Sequence, residues 1–293
     1  MSSLIVHAGA WDVPDAEKAA HVAGVDRAVR AGWDVLRGGG TAVEAVTLAV
    51  RTLEDDAALN AGTGSVLCRE GRVELDAALM EGSDLRVGAV AGLRDVPNPI
   101  LVAGALLDEQ EVLLVGEGAA AFAAARGIPC CDPADLVVER EQKRLAAWRS
   151  GQRGDDPADT VGAVAFDAER RMAVGSSTGG RPGQPSGRLG DAPVPGCGFY
   201  ADERVAGVAC TGWGEDILRT GLARRAFELA RTNAAQDACW LAVRELERRI
   251  GGRGGAVMLT PDGGIGYAFN TRSMPLAWID DDVDQPVHGG IST

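Results

Sequence analysis

The chain has 293 residues, of which 46% are hydrophobic, and a formal net charge of −13. That is enough for one large core or two small ones, and the acidic balance argues against a nucleic-acid partner, because phosphate backbones need clustered Lys and Arg. No apolar stretch approaches the ~20 residues of a membrane span, and Met1–His7 carries neither a basic nor an apolar leader region.

In chain order, residues 4–9 read as a short buried strand. From Asp15 to Leu36 the apolar residues Ala19, Val22, Val25, Val29, Trp33 and Leu36 fall at helical spacing. Gly38–Gly40 should end that helix, and Thr41 with Glu44 forms a T-x-x-E capping box for a second helix through Leu53. Strands are then expected at Ser65–Cys68, Val73–Ala77, Val87–Gly92 and Val112–Val115, with helices at Pro99–Leu107 and Ala119–Ala125. Asp132-Pro133 should open one more helix carrying Glu139 to Arg144. It ends in Ser150–Asp159, a polar, Gly/Pro-bearing segment that reads as the one clear linker.

Thr160–Asp167 and Met172–Ser177 follow as a strand pair, then a Gly/Pro-rich loop from Gly179 to Gly198 and a second strand pair from Ala201 to Cys210. Helices are expected at Glu215–Arg231 and Ala234–Ile250. A closing hairpin of Gly255–Thr260 and Ile265–Asn270 should turn at Pro261–Gly264. The six cysteines are scattered without a C-x-x-C, which suits reduced, mostly buried thiols in a cytoplasmic protein.

The commoner catalytic patterns do not fit. The three histidines, His7, His21 and His288, form no H-E-x-x-H, and there is no G-x-x-x-x-G-K-[ST] loop. Gly175-Ser-Ser-Thr-Gly179 matches G-x-S-x-G, but the Gly180-Arg-Pro-Gly183 after it does not open the helix a nucleophile elbow requires. His7 is read as a structural histidine at a strand end, with a base as the alternative. What remains is a linker ending at a hydroxyl residue that opens a strand. If the chain were cut before Thr160, the new α-amine would lie beside Oγ and serve as its base, so no histidine is needed. Read from its spacing alone, Thr160 is better taken as a β-branched residue starting a strand.

Several ordered segments bear on that choice. These are Thr160-Val-Gly-Ala-Val-Ala, Ser177-Thr-Gly-Gly180, Gly187-Arg-Leu-Gly-Asp-Ala-Pro193 and Thr211-Gly-Trp-Gly-Glu215. In the first half they are Asn60-Ala-Gly-Thr-Gly-Ser65, Leu75-Asp-Ala77, Gly88–Gly92 and Gly116–Ala119, and near the end Phe269-Asn-Thr271 with Met274. Together they resemble the plant-type asparaginase and isoaspartyl peptidase family, nearly end to end and in order.

The resemblance implies an α+β fold, a four-layer αββα sandwich of the N-terminal-nucleophile hydrolase type. It implies one domain over 1–293 that cuts itself at Asp159–Thr160 into an α subunit, 1–159, and a β subunit, 160–293. Thr160 would then attack the side-chain amide carbonyl of a β-aspartyl substrate. Thr178 matches the second threonine beside the nucleophile, and Thr211 with the Gly212 N–H matches the oxyanion donors. Arg188 matches the guanidinium that holds the substrate α-carboxylate, and Asp191 the carboxylate that pairs with its α-ammonium. Outside that context an R-x-x-D pair reads as a surface salt bridge. Asn60 and Gly62 match a segment lining the site opposite the nucleophile, and Gly214 is expected at the substrate.

The loop Leu53–Thr63 matches one that wraps a structural sodium through backbone carbonyls. Here Leu53, Glu54, Asp56, Leu59, Ala61 and Thr63 would supply them, with Glu54 alternatively a surface carboxylate at a helix end. No other cofactor is implied. The expected partners are a small β-aspartyl substrate and a second processed protomer, making a homodimer; neither nucleic acid nor membrane is expected.

Three departures stand out. His7-Ala-Gly-Ala-Trp11 replaces His-Gly-Gly-Ala-Gly, which should narrow that loop. Ala192 stands where Ser is common. Asp159 precedes the nucleophile, as in glycosylasparaginases, where the asparaginase branch often has Gly. The open readings are therefore an isoaspartyl peptidase with L-asparaginase activity, a glycosylasparaginase-like hydrolase, and a non-catalytic amino-acid-binding protein on the same fold.

Overall fold

The computed structural model describes residues 2–152 and 159–291, so positions 153–158 of the expected linker lie outside the described residues. Strand β1, Ser3–Ala8, leads into helix α1, Asp15–Arg37. The chain leaves α1 through Gly38 and Gly39, the latter at φ +82°, where only a residue without Cβ is unstrained. Helix α2, Ala42–Glu54, begins at the expected capping box. The Glu44 N–H donates to Thr41 Oγ1 at 3.2 Å, and the Thr41 N–H donates to the Glu44 carboxylate at 2.8 Å.

Strands β2 (Leu75–Glu81) and β3 (Val87–Leu93), helix α3 (Pro99–Leu106), strand β4 (Leu113–Val115) and helix α4 (Gly116–Ala125) follow. The expected helix from Asp132-Pro133 is instead a 3-10 turn, Pro133–Leu136, and a separate helix α5, Glu139–Arg149. Beyond the linker come strands β5 (Val161–Phe166), β6 (Met172–Thr178), β7 (Phe199–Asp202) and β8 (Ala206–Gly212). Helices α6 (Gly214–Thr220), α7 (Leu222–Ala230) and α8 (Ala235–Ile250) lead to strands β9 (Gly254–Leu259), β10 (Ile265–Phe269), β11 (Leu276–Asp280) and β12 (Val287–Gly289).

These strands form two sheets. The larger runs β12-β11-β1-β5-β6-β2-β3-β4, antiparallel except for the β3–β4 pair, and the smaller runs β10-β9-β8-β7. Side chains alternate between faces, as the strand period of two requires. Leu4, Val6, Val161, Ala163 and Ala165 join a core with the buried faces of α1, α2 and α3, whereas Ile5, Val164, Phe166 and Val174 meet Phe199, Ala209, Val257 and Leu259 of the smaller sheet. On that sheet Val208, Cys210, Ala256 and Met258 pack instead against Phe227, Ala238, Ala242 and Leu246 of α7 and α8. Both faces of the central strands are covered, which explains why β5 reads as a nearly continuous apolar run.

Several expectations are corrected. Ser65–Cys68 is not a strand: its main chain is satisfied locally, Val66 N–H donating to Asn60 Oδ1 and Cys68 N–H to the Arg72 carbonyl, both at 2.9 Å. The helix expected over 215–231 is broken at Gly221, which sits at φ +61°. The β9–β10 hairpin does not close the chain, because β11 returns to pair with β1 in the larger sheet. Among the described residues all six cysteines are free. Cys68, Cys210 and Cys239 are buried, Cys131 and Cys197 half-buried and Cys130 exposed. No described helix is long and apolar enough to cross a membrane.

Candidate active site

Thr160 immediately precedes β5 and is buried, as is Asp159 before it. Val161 is the register partner of Ser177, so one further antiparallel step sets Thr160 opposite Thr178, the last residue of β6. Thr178 is in turn paired with Asp76 of β2, and its Oγ1 accepts the Gly180 N–H at 3.0 Å. The third hydroxyl arrives from the smaller sheet. Thr211, near the end of β8, accepts the Ala10 N–H on Oγ1 at 3.3 Å, and Ala8, two residues earlier, pairs with Val161. Strand ends from both sheets therefore gather Thr160, Thr178 and Thr211. Gly212 follows at φ +140°, where a Cβ would lie 2.5 Å from the Arg253 carbonyl, so the close approach of β8 to β9 requires glycine.

Arg188 and Asp191 lie on the loop after β6, and both reach Gly214. A Cβ built on Gly214 would stand 2.6 Å from Arg188 Nη2 and 2.9 Å from Asp191 Oδ1. A guanidinium and a carboxylate thus converge on Gly214, an approach possible only because residue 214 has no side chain. Asp191 is buried, and burial pushes its carboxyl up to about 7; Arg188 opposes this, while Glu215 and Asp76 add to it. The far edge of Arg188 is held by Glu215, which accepts from Nε at 3.1 Å and Nη2 at 3.0 Å. Glu215 also pairs with Arg181 at 3.0 Å, and the Arg181 guanidinium stacks over the Trp213 ring at 4.3 Å. Burial alone would raise the Glu215 carboxyl, but Arg188 and Arg181 hold it below its ordinary value.

The loop that carries this pair is pinned by the first half of the chain. Asn60 Nδ2 donates to the Gly180 carbonyl at 2.9 Å, and its own carbonyl accepts the Gly179 N–H at 3.0 Å. Its side-chain oxygen takes the Val66 N–H, so the whole amide serves to tie two loops together. Glu74 accepts from Ser186 Oγ at 2.5 Å, the Gly187 N–H at 2.8 Å and Arg94 Nη2 at 2.7 Å. Asp76 Oδ1 accepts the Gly92 N–H at 2.9 Å, and burial pushes its carboxyl up to about 7. Sequence reasoning gave no role to Glu74, Asp76, Glu215 or Arg181. All four lie inside or beside the ordered segments of the sequence, which is the signal that could have found them.

Gly62 sits inside the 53–63 loop, where a Cβ would be 2.5 Å from the Glu54 and Pro97 carbonyls. Its placement ties it to loop packing. Glu54 is not a surface carboxylate. It is fully buried, accepts from Ser177 Oγ at 2.7 Å and the Ile100 N–H at 3.0 Å on Oε1, and burial pushes it up to about 8. Ser177 is thereby committed inside a strand, and no helix follows it, so the G-x-S-x-G match is no nucleophile elbow. His7 is fully buried against Gly162, and burial holds its imidazole down to about 3, with the Thr160 main chain partly opposing. It is neutral, as a structural histidine would be.

The departures in the first loop can also be placed. Ala8 is part of β1, and Gly9, the glycine retained, lies at φ +87° directly against Asp159, where any Cβ would run into that residue. Trp11 is buried, its ring centroid 5.9 Å from that of His21 and 5.8 Å from the Arg144 guanidinium carbon. His21, set aside in the sequence as a helix residue, faces Asp159: its Nε2 lies 3.3 Å from Asp159 Oδ2.

Comparison with known proteins bears on the family. The asparaginase family model matches residues 1–288. A probable isoaspartyl peptidase/L-asparaginase of Drosophila melanogaster is 39% identical over 306 aligned positions, covering 95% of this chain and 92% of the relative. An isoaspartyl peptidase/L-asparaginase of Bos taurus is 38% identical, covering 98% and 95%. A plant-type L-asparaginase of Pyrococcus abyssi is 39% identical, covering 99% and 100%. The chain belongs to the asparaginase family.

Proposed function

We propose that the chain is an autoprocessing threonine amidohydrolase that cleaves β-aspartyl amide bonds, in isoaspartyl dipeptides, L-asparagine or both. The observation that carries the reading is the gathering of Thr160, Thr178 and Thr211 at one end of the strands, with Arg188 and Asp191 converging on Gly214. The names of the relatives point to the same substrates.

In this reading the bond between Asp159 and Thr160 is cut, giving subunits 1–159 and 160–293 of one domain. The freed Thr160 amine takes the Oγ proton as Oγ adds to the substrate amide carbonyl. Thr211 and the Gly212 N–H stabilise the oxyanion, and Thr178 orients the nucleophile. The amine or ammonia leaves with a proton, and water hydrolyses the β-aspartyl ester on Thr160. Arg188 takes the substrate α-carboxylate and Asp191 its α-ammonium, with Gly214 letting the two side chains converge; Asn60 fixes the loop beyond Thr178.

We further propose that the two sheets and their covering helices form the four-layer αββα sandwich, that processed protomers pair as a homodimer, and that the enzyme is cytoplasmic. The 53–63 loop suits a sodium ion, a hard cation that takes oxygen ligands. Gly62 and Gly64 bring backbone carbonyls of Glu54 and Leu59 close to the turn, and a carbonyl already accepting one N–H keeps a second lone pair. Leu53, Glu54, Asp56, Leu59, Ala61 and Thr63 would hold it, and it would stiffen the loop without entering the reaction.

The test is hydrolysis of a β-aspartyl dipeptide, L-asparagine and an N-linked sugar–asparagine by the wild type and Thr160→Ala. The first two should be cleaved by the wild type alone. Turnover of the sugar–asparagine in preference would favour the glycosylasparaginase reading, and an active Thr160→Ala would refute the nucleophile.

A further inference from the structure

Asp159 contributes the carbonyl of the bond before Thr160, and its side chain is held where few carboxylates are found. It is 4% exposed, and His21, its ion-pair partner, is 1% exposed. Burying a charge this deeply is unfavourable unless a donor or opposite charge meets it. Among the described residues Asp159 Oδ1 has no hydrogen-bond partner, whereas Oδ2 faces His21 Nε2 at 3.3 Å. His21 Nδ1 lies 3.0 Å from the Glu17 carbonyl, which can only accept, so Nδ1 carries a proton. The contact with a carboxylate then takes a second proton on Nε2, making the ring an imidazolium.

The ring itself is fixed. Trp11 packs beside it, and Arg144 of α5 covers Trp11 and reaches Glu17 at 3.5 Å. Gly9, at φ +87°, abuts the main chain of Asp159 as well as its carboxylate. Asp159 is therefore gripped at its side chain by His21 and at its backbone by Gly9, while its carbonyl is bonded to the first residue before β5.

We propose that His21 is a positioning residue for self-cleavage, holding the Asp159 carboxylate so that the adjoining carbonyl carbon is fixed in front of Thr160 Oγ. The proposal rests on the reading that the chain cuts itself before Thr160. In that step Oγ adds to the Asp159 carbonyl carbon, the Asp159 C–Thr160 N bond breaks, and the hydroxyl proton passes to the departing nitrogen. Water then splits the ester, its OH going to the Asp159 carbonyl and its hydrogen to Oγ. His21 touches none of the reacting atoms; it limits the rotations of the residue that bears one of them.

The charged groups facing His21 are Asp159 from the segment before β5, Glu17 from its own helix, and Arg144 from α5 through Trp11. Burial lowers its pKa, but Asp159 and Glu17 outweigh that and raise it, so the grip weakens as pH rises through the raised value.

The experiment is a time course of cleavage of freshly purified full-length chain, followed by denaturing electrophoresis across pH, for the wild type, His21→Gln and His21→Ala. The wild-type rate should carry a falling limb at rising pH. His21→Gln, which keeps a donor for Asp159 but does not titrate, should cut within a few-fold of the wild type without that limb. His21→Ala should cut at least tenfold more slowly while unfolding at a similar temperature. Equal rates and an unchanged pH profile in both variants would overturn the proposal alone. A wild-type chain that never cuts would overturn it together with the reading beneath it. Should His21→Ala fail to fold, imidazole titration by NMR in the uncut Thr160→Ala chain decides: adding Asp159→Asn should lower the His21 pKa, and an unchanged value would overturn the grip.

Discussion

Arg188 turns the Nε–Nη2 edge of its guanidinium onto the two oxygens of Glu215, at 3.1 and 3.0 Å, while Nη1 lies beside Gly190 and reaches Gln184 Oε1 at 3.4 Å, and Nη2 abuts Gly214. A planar fork held along one edge presents the other in a fixed direction, which is what bidentate recognition of a second carboxylate requires. Glu215→Gln should therefore act on binding. We expect KM to rise about tenfold with kcat within about twofold, the size of one weakened charge-assisted contact. A fall in kcat with unchanged KM would show that Glu215 does not act through Arg188.

Asn60 bridges two loops with both ends of its side-chain amide, and it is buried. Asn60→Ala leaves the Val66 N–H and the Gly180 carbonyl without that partner. We expect a loss of about 2 kcal/mol, read from the urea midpoint at constant slope, because each unsatisfied buried group costs about 1–3 kcal/mol. Activity should fall as well, since Gly179 and Gly180 follow Thr178 directly.

Asp191 lies at about 7, raised chiefly by burial. Below that pH it is protonated and loses its attraction for an α-ammonium, so kcat/KM should fall as pH drops through about 7. Asp76 is raised into the same range and titrates alongside it. Asp191→Asn should raise KM and diminish the inflection, and what remains belongs to Asp76 and the Thr160 α-amine, which titrates at about 7.7–8.0. An unaltered profile would exclude Asp191 as the ammonium partner.

The same two carboxyls make stability depend on pH. Each keeps its proton in the folded chain and loses it near 3.8 when unfolded. This contribution is complete below about 3.8 and is lost as pH rises through about 7. Asp76→Asn keeps an acceptor for the Gly92 N–H and cannot ionise. Thermal melts from pH 4 to 8 should show a shallower decline in this variant than in the wild type.

Much of this was legible in the sequence where the cause is local. The Thr41–Glu44 capping box and the spacing of α1 each depend on a few neighbouring residues, and both were read. The β5–β6 pair could be read because its strands adjoin in the chain. Ser65–Cys68 has the composition of a strand, but its N–H groups find Asn60 and Arg72, and no local pattern reports that. Strand β11 was missed because its partner β1 lies at the opposite end of the chain. At the site, Arg188 and Asp191 stood in a motif, whereas the grips of Glu215 on Arg188 and of Glu74 on the neighbouring Gly187 N–H join residues far apart. His21 looked like an ordinary helix residue, since Asp159, 138 positions away, is what gives it a task.

The central claim is that Thr160 becomes a chain terminus and the nucleophile. The most direct test is intact-mass analysis and N-terminal sequencing of the purified protein, with hydrolysis of a β-aspartyl dipeptide measured on the same sample. The account predicts two fragments, 1–159 and 160–293, the second beginning at Thr160, with activity rising in step with cleavage and a Thr160→Ala chain that stays whole and inactive. A wild-type chain that remains intact yet hydrolyses the dipeptide at a steady rate from the outset would contradict it.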